Sequence, residues 1–227
     1  FKTEFMKYFS KDYLAFFKEL AANNHKEWFD LNRKRYETVV REPFKIFISD
    51  LINEVSKLDE EVQIEAKDAI FRINRDIRFS KDKTPYKINN SAIISKMGRK
   101  DKSYPGLYIE LSPEHLAIFG GIYMADTQQI QKIRLHILKY PDQFRKIITN
   151  KDFVNKYGEI RGTKNKRIPK EFRLAAEEQA LIMNKQWYYQ AFLSPKIITG
   201  NDLMEKILEY HIQALPFQKF LINALQN

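Results

Sequence analysis

Residues 105–121 read "PGLYIELSPEHLAIFGG". Leu107, Ile109 and Leu111 alternate with Tyr108 and Glu110. Successive side chains of a strand point to opposite faces, so this spacing predicts a half-buried strand. Ser112-Pro113-Glu114 is a turn signal, and "HLAIFGG" then supplies a second apolar run. Residues 107–121 should therefore form an antiparallel hairpin. Gly120-Gly121 closes it where a bulge or a close backbone approach is expected. With a helix start near Asp126, the same pair is also a place where backbone amides can meet an anion.

Working outward, "SAIIS" (91–95) and "AIFRI" (69–73) read as further strands, and "WYYQAFL" (187–193) has the composition of an edge strand. Upstream, "SKDYLAFFKELAANN" begins at a Ser10 cap and sets Tyr13, Phe16, Phe17 and Leu20 at helical spacing. Pro43 should kink or restart the helix, after which Phe44, Phe47, Ile48, Leu51, Val55 and Leu58 make one apolar stripe. Downstream, Asp126 or Thr127 can cap a helix that ends before Pro141, and Pro141 suits the first position of the next. Two further helices are expected over 202–213 and 217–225. The fold class that follows is α+β, one domain over 1–227 with a central antiparallel sheet flanked by N-terminal and C-terminal helices. It is helical over 10–58, strand-rich over 69–122 and helical again over 126–227, with a strand at 187–193.

The chain has 227 residues, 44% hydrophobic and 14% aromatic, which excludes a disordered polypeptide. Its longest apolar run, 116–125, is about half of what a bilayer crossing needs, so no membrane partner is expected. The absence of cysteine excludes disulfides and thiolate chemistry and fits a cytoplasmic location. The net charge is +10, and it is local. Residues 71–102 carry ten Lys/Arg against three Asp/Glu, and "RGTKNKRIPKEFR" (161–173) carries six against one, which leaves the remainder at −2. Focused patches of this kind suggest an anionic partner.

The densest stretch is "FRINRDIRFSKDKTPYK" (71–87). Arg72, Arg75, Arg78, Lys81, Lys83 and Lys87 are the candidate anion-binding residues, because guanidinium forks and ammonium groups suit phosphate oxygens. Tyr86, Tyr104 and Tyr108 are available to stack on bases, which makes nucleic acid one candidate partner. The competing reading makes Arg72–Asp76 and Arg78–Asp82 internal ion pairs. Asp76 and Asp82 are also catalytic candidates, for a Mg²⁺-assisted phosphoesterase with Asn74 or Asn89 nearby. No cofactor is expected outside that alternative, and no metal site is assigned. No P-loop, HExxH or GxSxG motif is present. His25, His115, His136 and His211 lack ligand spacing and are expected to be hydrogen-bonded surface or interface groups. A third class, a module docking an acidic protein surface, stays open.

The motifs "NNHKEWFDLNRKRYETVVREPF" (23–44), "FRINRDIRFSKDKTPYK" (71–87), "PGLYIEL" (105–111) and "GGIYMADTQQIQKIR" (120–134) follow one another in this order. In this the chain resembles the family catalogued as domain of unknown function 2461, found in bacteria and fungi. The resemblance covers nearly the whole chain and implies an α+β protein of one domain. It carries no established activity.

Overall fold

The computed structural model describes residues 6–226. Strands β1 (Asn90–Ile94), β2 (Gly106–Leu111), β3 (Leu116–Ile122) and β4 (Trp187–Leu193) form an antiparallel sheet in the order β1-β2-β3-β4. Helices precede and follow the strands in the chain, so the class is α+β. The β2–β3 hairpin turns at Ser112, whose N–H donates to the His115 carbonyl at 3.0 Å and whose Oγ accepts from the His115 N–H at 3.1 Å. Leu107, Ile109 and Leu111 are buried as their alternation predicts. β4 takes a sheet edge.

"AIFRI" differs from expectation. It makes isolated bridges, Ile70 with Ala92 and, just beyond it, Asn74 with Tyr86, in place of a strand. Phe71 N–H donates to Ser91 O, but two residues later the chain changes partner and Ile73 O accepts from Lys87 N–H. A ladder that swaps neighbours after one rung cannot extend into a strand.

Contacts divide the chain into two compact units. The first holds residues up to Arg99, Tyr108–Ile118 and Phe192–Leu208. In it lie α1 (Lys11–Ala22), α2 (Lys26–Leu31), the single turn α3 (Arg33–Arg35), α4 (Glu42–Ser56) and α5 (Ala66–Ala69). Tyr13, Phe16, Phe17 and Leu20 of α1 are buried, and so are Phe44, Phe47, Ile48, Leu51, Ile52 and Val55 of α4. Each such side chain removed from water stabilises the fold by roughly 1.5–3 kcal/mol. Ser10 is the N-cap of α1, though its hydroxyl bonds no helical amide.

Pro43 does not break the helix. The helix runs on through it from the preceding turn and does without the amide that Pro43 lacks. The chain before it, Tyr36–Arg41, is wound as a π turn, with Glu42 N–H donating to Glu37 O five residues back. The wider turn makes room for a ring that would collide with an ordinary α-helical carbonyl.

The second unit holds Lys100–Leu107, Phe119–Ala191 and the residues from Glu209 onward. It contains α6 (Thr127–Lys139), α7 (Pro141–Ile148), α8 (Lys151–Tyr157), α9 (Arg173–Glu178) and most of α10 (Leu203–Gln226), which begins in the first unit. Asp126 caps α6 through a capping box with Gln129. Phe144, Phe153, Tyr189 and Phe217 pack as a ring cluster with centroids 5.6–6.3 Å apart. Buried Arg134 is neutralised by no carboxylate among the described residues and instead donates to Ile182 O at 2.8 Å and Asn184 O at 3.1 Å. The two helices expected near the C-terminus are one, because Pro216 lies inside α10. The carbonyl that loses its amide donor belongs to Ile212, which is exposed and so open to water.

Candidate functional site

The basic segment 72–87 folds as a loop closed at its base by the Asn74–Tyr86 bridge. Arg75 N–H donates to Pro85 O at 2.9 Å, and the Asn24 side chain clamps Tyr86 by donating to its carbonyl and accepting from its amide. Within the loop the carboxylates take cations, with partners exchanged relative to the expected pairs. Arg78 grips Asp76 bidentately at 3.0 and 2.7 Å, and Arg75 donates to Asp82 and to the Thr84 hydroxyl. Arg78 holds the Asp76 carboxyl below the usual carboxylate range. The Thr84 amide, Arg75 and the Thr84 hydroxyl bring Asp82 down to about 2. Lys83 donates to Ile77 O at 2.9 Å, the Lys87 ammonium lies 5.4 Å from the Phe71 ring centroid, and Lys81 is exposed. Tyr86 is 7% exposed and stacked on Phe29 at 4.1 Å, which removes it as a platform for a base.

Arg72 stands apart from these pairs. It lines a cleft of about 540 Å³ in the first unit, together with Arg33, Arg41, Lys45, Lys67 and Arg99. The elements behind the cleft are α2, α3, the π turn, α4, α5, the 70–74 segment, the start of β1 and the short turn Gly98–Lys100. Half of these cations are paired: Arg33 with Asp30 at 2.5 Å, Arg41 with Glu37 at 2.8 and 3.0 Å, Lys67 with Glu65 at 2.8 Å. Lys45, Arg72 and Arg99 are exposed and make no ion pair among the described residues, although the charge of Arg72 also helps to hold the Asp76 carboxyl down. The apolar lining comes from Phe29, Tyr36, Phe44, Ile70, Phe71 and Ile73. Burial pushes the Tyr36 phenol up to about 12, so it stays protonated at neutral pH.

At the cleft also lies Asn90, the first residue of β1 and only 4% exposed. Its Oδ1 accepts from the Tyr13 O–H at 3.1 Å, and Tyr13 is completely buried. Its Nδ2 has no acceptor among the described residues, yet it is not sealed from solvent. A residue of the cleft lining thus has its amide oxygen committed and its amide nitrogen unpaired.

Of the sequence candidates, then, the structure brings Arg72 to this cleft and leaves Arg75, Arg78, Lys81, Lys83 and Lys87 on or beside the neighbouring loop. Counting charge by window misses Lys45 and, though the 71–102 patch includes Arg99, gives no sign that Arg99 and Arg72 share one cleft. The one sequence signal pointing to this wall is Pro43 after "YETVVRE", which demands an altered helical turn where Tyr36, Glu37 and Arg41 reside. The patch at 161–173 belongs to the second unit and runs beside β4 through the Arg161–Tyr188 bridge, its six cations exposed. Gly120-Gly121 lies within β3 and serves close packing: a Cβ at Gly120 would sit 2.1 Å from the Tyr189 hydroxyl. The amide end of α6 is satisfied by its own capping box.

Two histidines, His25 and His115, match the expectation of hydrogen-bonded groups, and His136 is held by ring contacts instead. His25 faces Glu27 at 3.0 Å, His115 faces Glu110 at 3.2 Å, and His136 packs on the Tyr140 and Phe220 rings. His211 departs from it: it is 2% exposed and neither ring nitrogen has a hydrogen-bond partner among the described residues. Among the described residues no group of three or more His, Asp or Glu is arranged to hold a metal ion, and no helix is long and apolar enough to cross a membrane.

No curated protein matches the chain. No solved structure matches it either. A family model described as "Conserved hypothetical protein (DUF2461)" matches residues 12–220, nearly the whole length and every element that builds the cleft, and the chain belongs to that family.

Proposed function

We propose that this protein binds a phosphate-bearing anionic ligand in the cleft of its first unit. The observation that carries the reading is that Lys45, Arg72 and Arg99, three cations in no ion pair among the described residues, line one cleft of about 540 Å³. That volume suits a small molecule, since ligand pockets run from roughly 300 to 1,000 Å³. An unpaired guanidinium or ammonium gains more from an anion than a cation whose charge-assisted bonds are already made. The loop beside the cleft supports the same division of labour, because Asp76 and Asp82 neutralise Arg78 and Arg75 there. Nothing in that loop favours the phosphoesterase reading of the two carboxylates, each of which is held by a guanidinium.

The test is calorimetric titration with pyrophosphate at low salt, against Arg72→Ala, Arg99→Ala and, as control, Arg78→Ala. Hydrogen bonds to charged groups contribute about 1.5–3 kcal/mol, so each cleft substitution should weaken binding by roughly tenfold or more. Arg78→Ala touches no lining residue and should cost less than either cleft substitution, the freed Asp76 acting on the site only through the charge of Arg72. Equal affinity for the parent, Arg72→Ala and Arg99→Ala proteins would overturn the proposal.

A further inference from the structure

We infer that the ligand is a diphosphate ester, with two ionised phosphate groups on an organic body, and that Asn90 donates its Nδ2 hydrogen to one of the phosphate oxygens. This rests on the reading of the cleft as an anion site. Charge, volume and the floor of the cleft lead to it separately.

The charge left over after internal pairing is three units, on Lys45, Arg72 and Arg99. A terminal phosphate brings about −1.5 to −2, and a second ionised group in the same chain raises this to about −3. A monophosphate would leave one cation unmatched. The volume, about 540 Å³, is several times that of a bare diphosphate, and Ile70, Phe71 and Ile73 offer an apolar wall that no phosphate can use. An organic portion fits that remainder.

The floor gives the recognition element. A fourth cation at a position 4% exposed would lose most of its hydration, which is costly without a permanent partner. A neutral amide donor avoids that cost and still meets an acceptor oxygen. Its polarity is fixed from behind. The completely buried Tyr13 hydroxyl needs an acceptor and finds Asn90 Oδ1, so only the NH₂ side can face the ligand. The site therefore accepts a group with lone pairs there and rejects one that presents its own N–H.

The experiment uses the full chain, titrated calorimetrically with inorganic phosphate, pyrophosphate, adenosine monophosphate and adenosine diphosphate. Adenosine diphosphate should bind about tenfold or more tighter than the monophosphate, and at least as tightly as pyrophosphate. Asn90→Asp keeps an acceptor for Tyr13 but replaces the donor by an oxygen, and should weaken diphosphate binding by about tenfold or more. Tyr13→Phe keeps the ring while releasing the amide to rotate, and should weaken binding several-fold even where Asn90→Asp disturbs folding. Equal affinity for mono- and diphosphate, tighter binding of pyrophosphate than of adenosine diphosphate, or undiminished binding by both variants would overturn the inference. In each of those results sensitivity to Arg72→Ala would still be present. Loss of that sensitivity, or no binding of any phosphate, would instead overturn the anion site itself.

Discussion

Acidification should destabilise this protein well before its carboxylates titrate, and His211 is the reason. Its ring is 2% exposed, with no partner for either nitrogen among the described residues, and burial brings its pKa from 6.5 down to about 4. Between these values the unfolded chain binds a proton that the folded chain refuses. Stability is therefore complete above pH 6.5, falls as pH falls through the interval, and levels off below about 4. Each pH unit inside the interval is worth about 1.4 kcal/mol, so roughly 2 kcal/mol should be gone by pH 5. That is a large share of the 5–15 kcal/mol typical of a folded domain. His211→Leu tests the argument, because a leucine of similar bulk cannot protonate. Urea unfolding of both proteins at pH 7.5, 6, 5 and 4.5 gives the difference in stability between them. His136 is also shifted down, by burial and Lys139, but it is present in both proteins and cancels. The difference should widen in favour of the leucine variant by about 2 kcal/mol between pH 7.5 and 5. The variant should already be the more stable at pH 7.5, since a buried unpaired polar group costs about 1–3 kcal/mol. Parallel stability curves would refute the reasoning, because they would mean that His211 keeps its proton equilibrium on folding.

Two smaller expectations concern the backbone. Gly121 has φ +93°, and a Cβ there would lie 2.2 Å from the Trp187 carbonyl oxygen, so Gly121→Ala should cost about 3 kcal/mol or more in urea unfolding. Pro216→Ala should restore a hydrogen bond inside α10 and raise stability by about 1–2 kcal/mol, read as an increase in melting temperature by calorimetry.

The hairpin at 107–121 was legible because alternation and turn chemistry are both local, and residues 187–193 because "WYYQAFL" suits a pleated surface in almost any context. "AIFRI" has the same local character and still fails as a strand, because its neighbour changes from Ser91–Ala92 to Tyr86–Lys87 within a few residues. Strand propensity carries no information about how long a partner stays alongside. Pro216 misled for the opposite reason: a local breaker was overridden by a helix whose flanking residues Ala214, Phe217 and Phe220 are buried. The site divided along the same line. Charge density at 72–87 was visible, but much of it is answered by carboxylates two to seven residues away. The cleft cations come from Lys45, Arg72 and Arg99, whose convergence depends on the fold, and Asn90 carries no signal at all until Tyr13 is seen behind it.

The π turn at Tyr36–Arg41 lets the wall of the cleft hold one residue more than an α-helix would over the same span. An α-helix advances about 100° per residue and the wider π turn advances less, so deleting one residue within the turn would let it close to α geometry with little net rotation of what precedes it. Arg33 and the ring of Phe29 precede the turn, whereas Lys45 and Phe44 follow it. A single-codon deletion at Thr38, an exposed residue with no role in the lining, would thus keep the cleft side chains aimed much as they are but set the Pro43 ring against an α-helical carbonyl. The same deletion inside the regular turns of α4 would find no such slack and would turn one end of the helix by about 100° against the other.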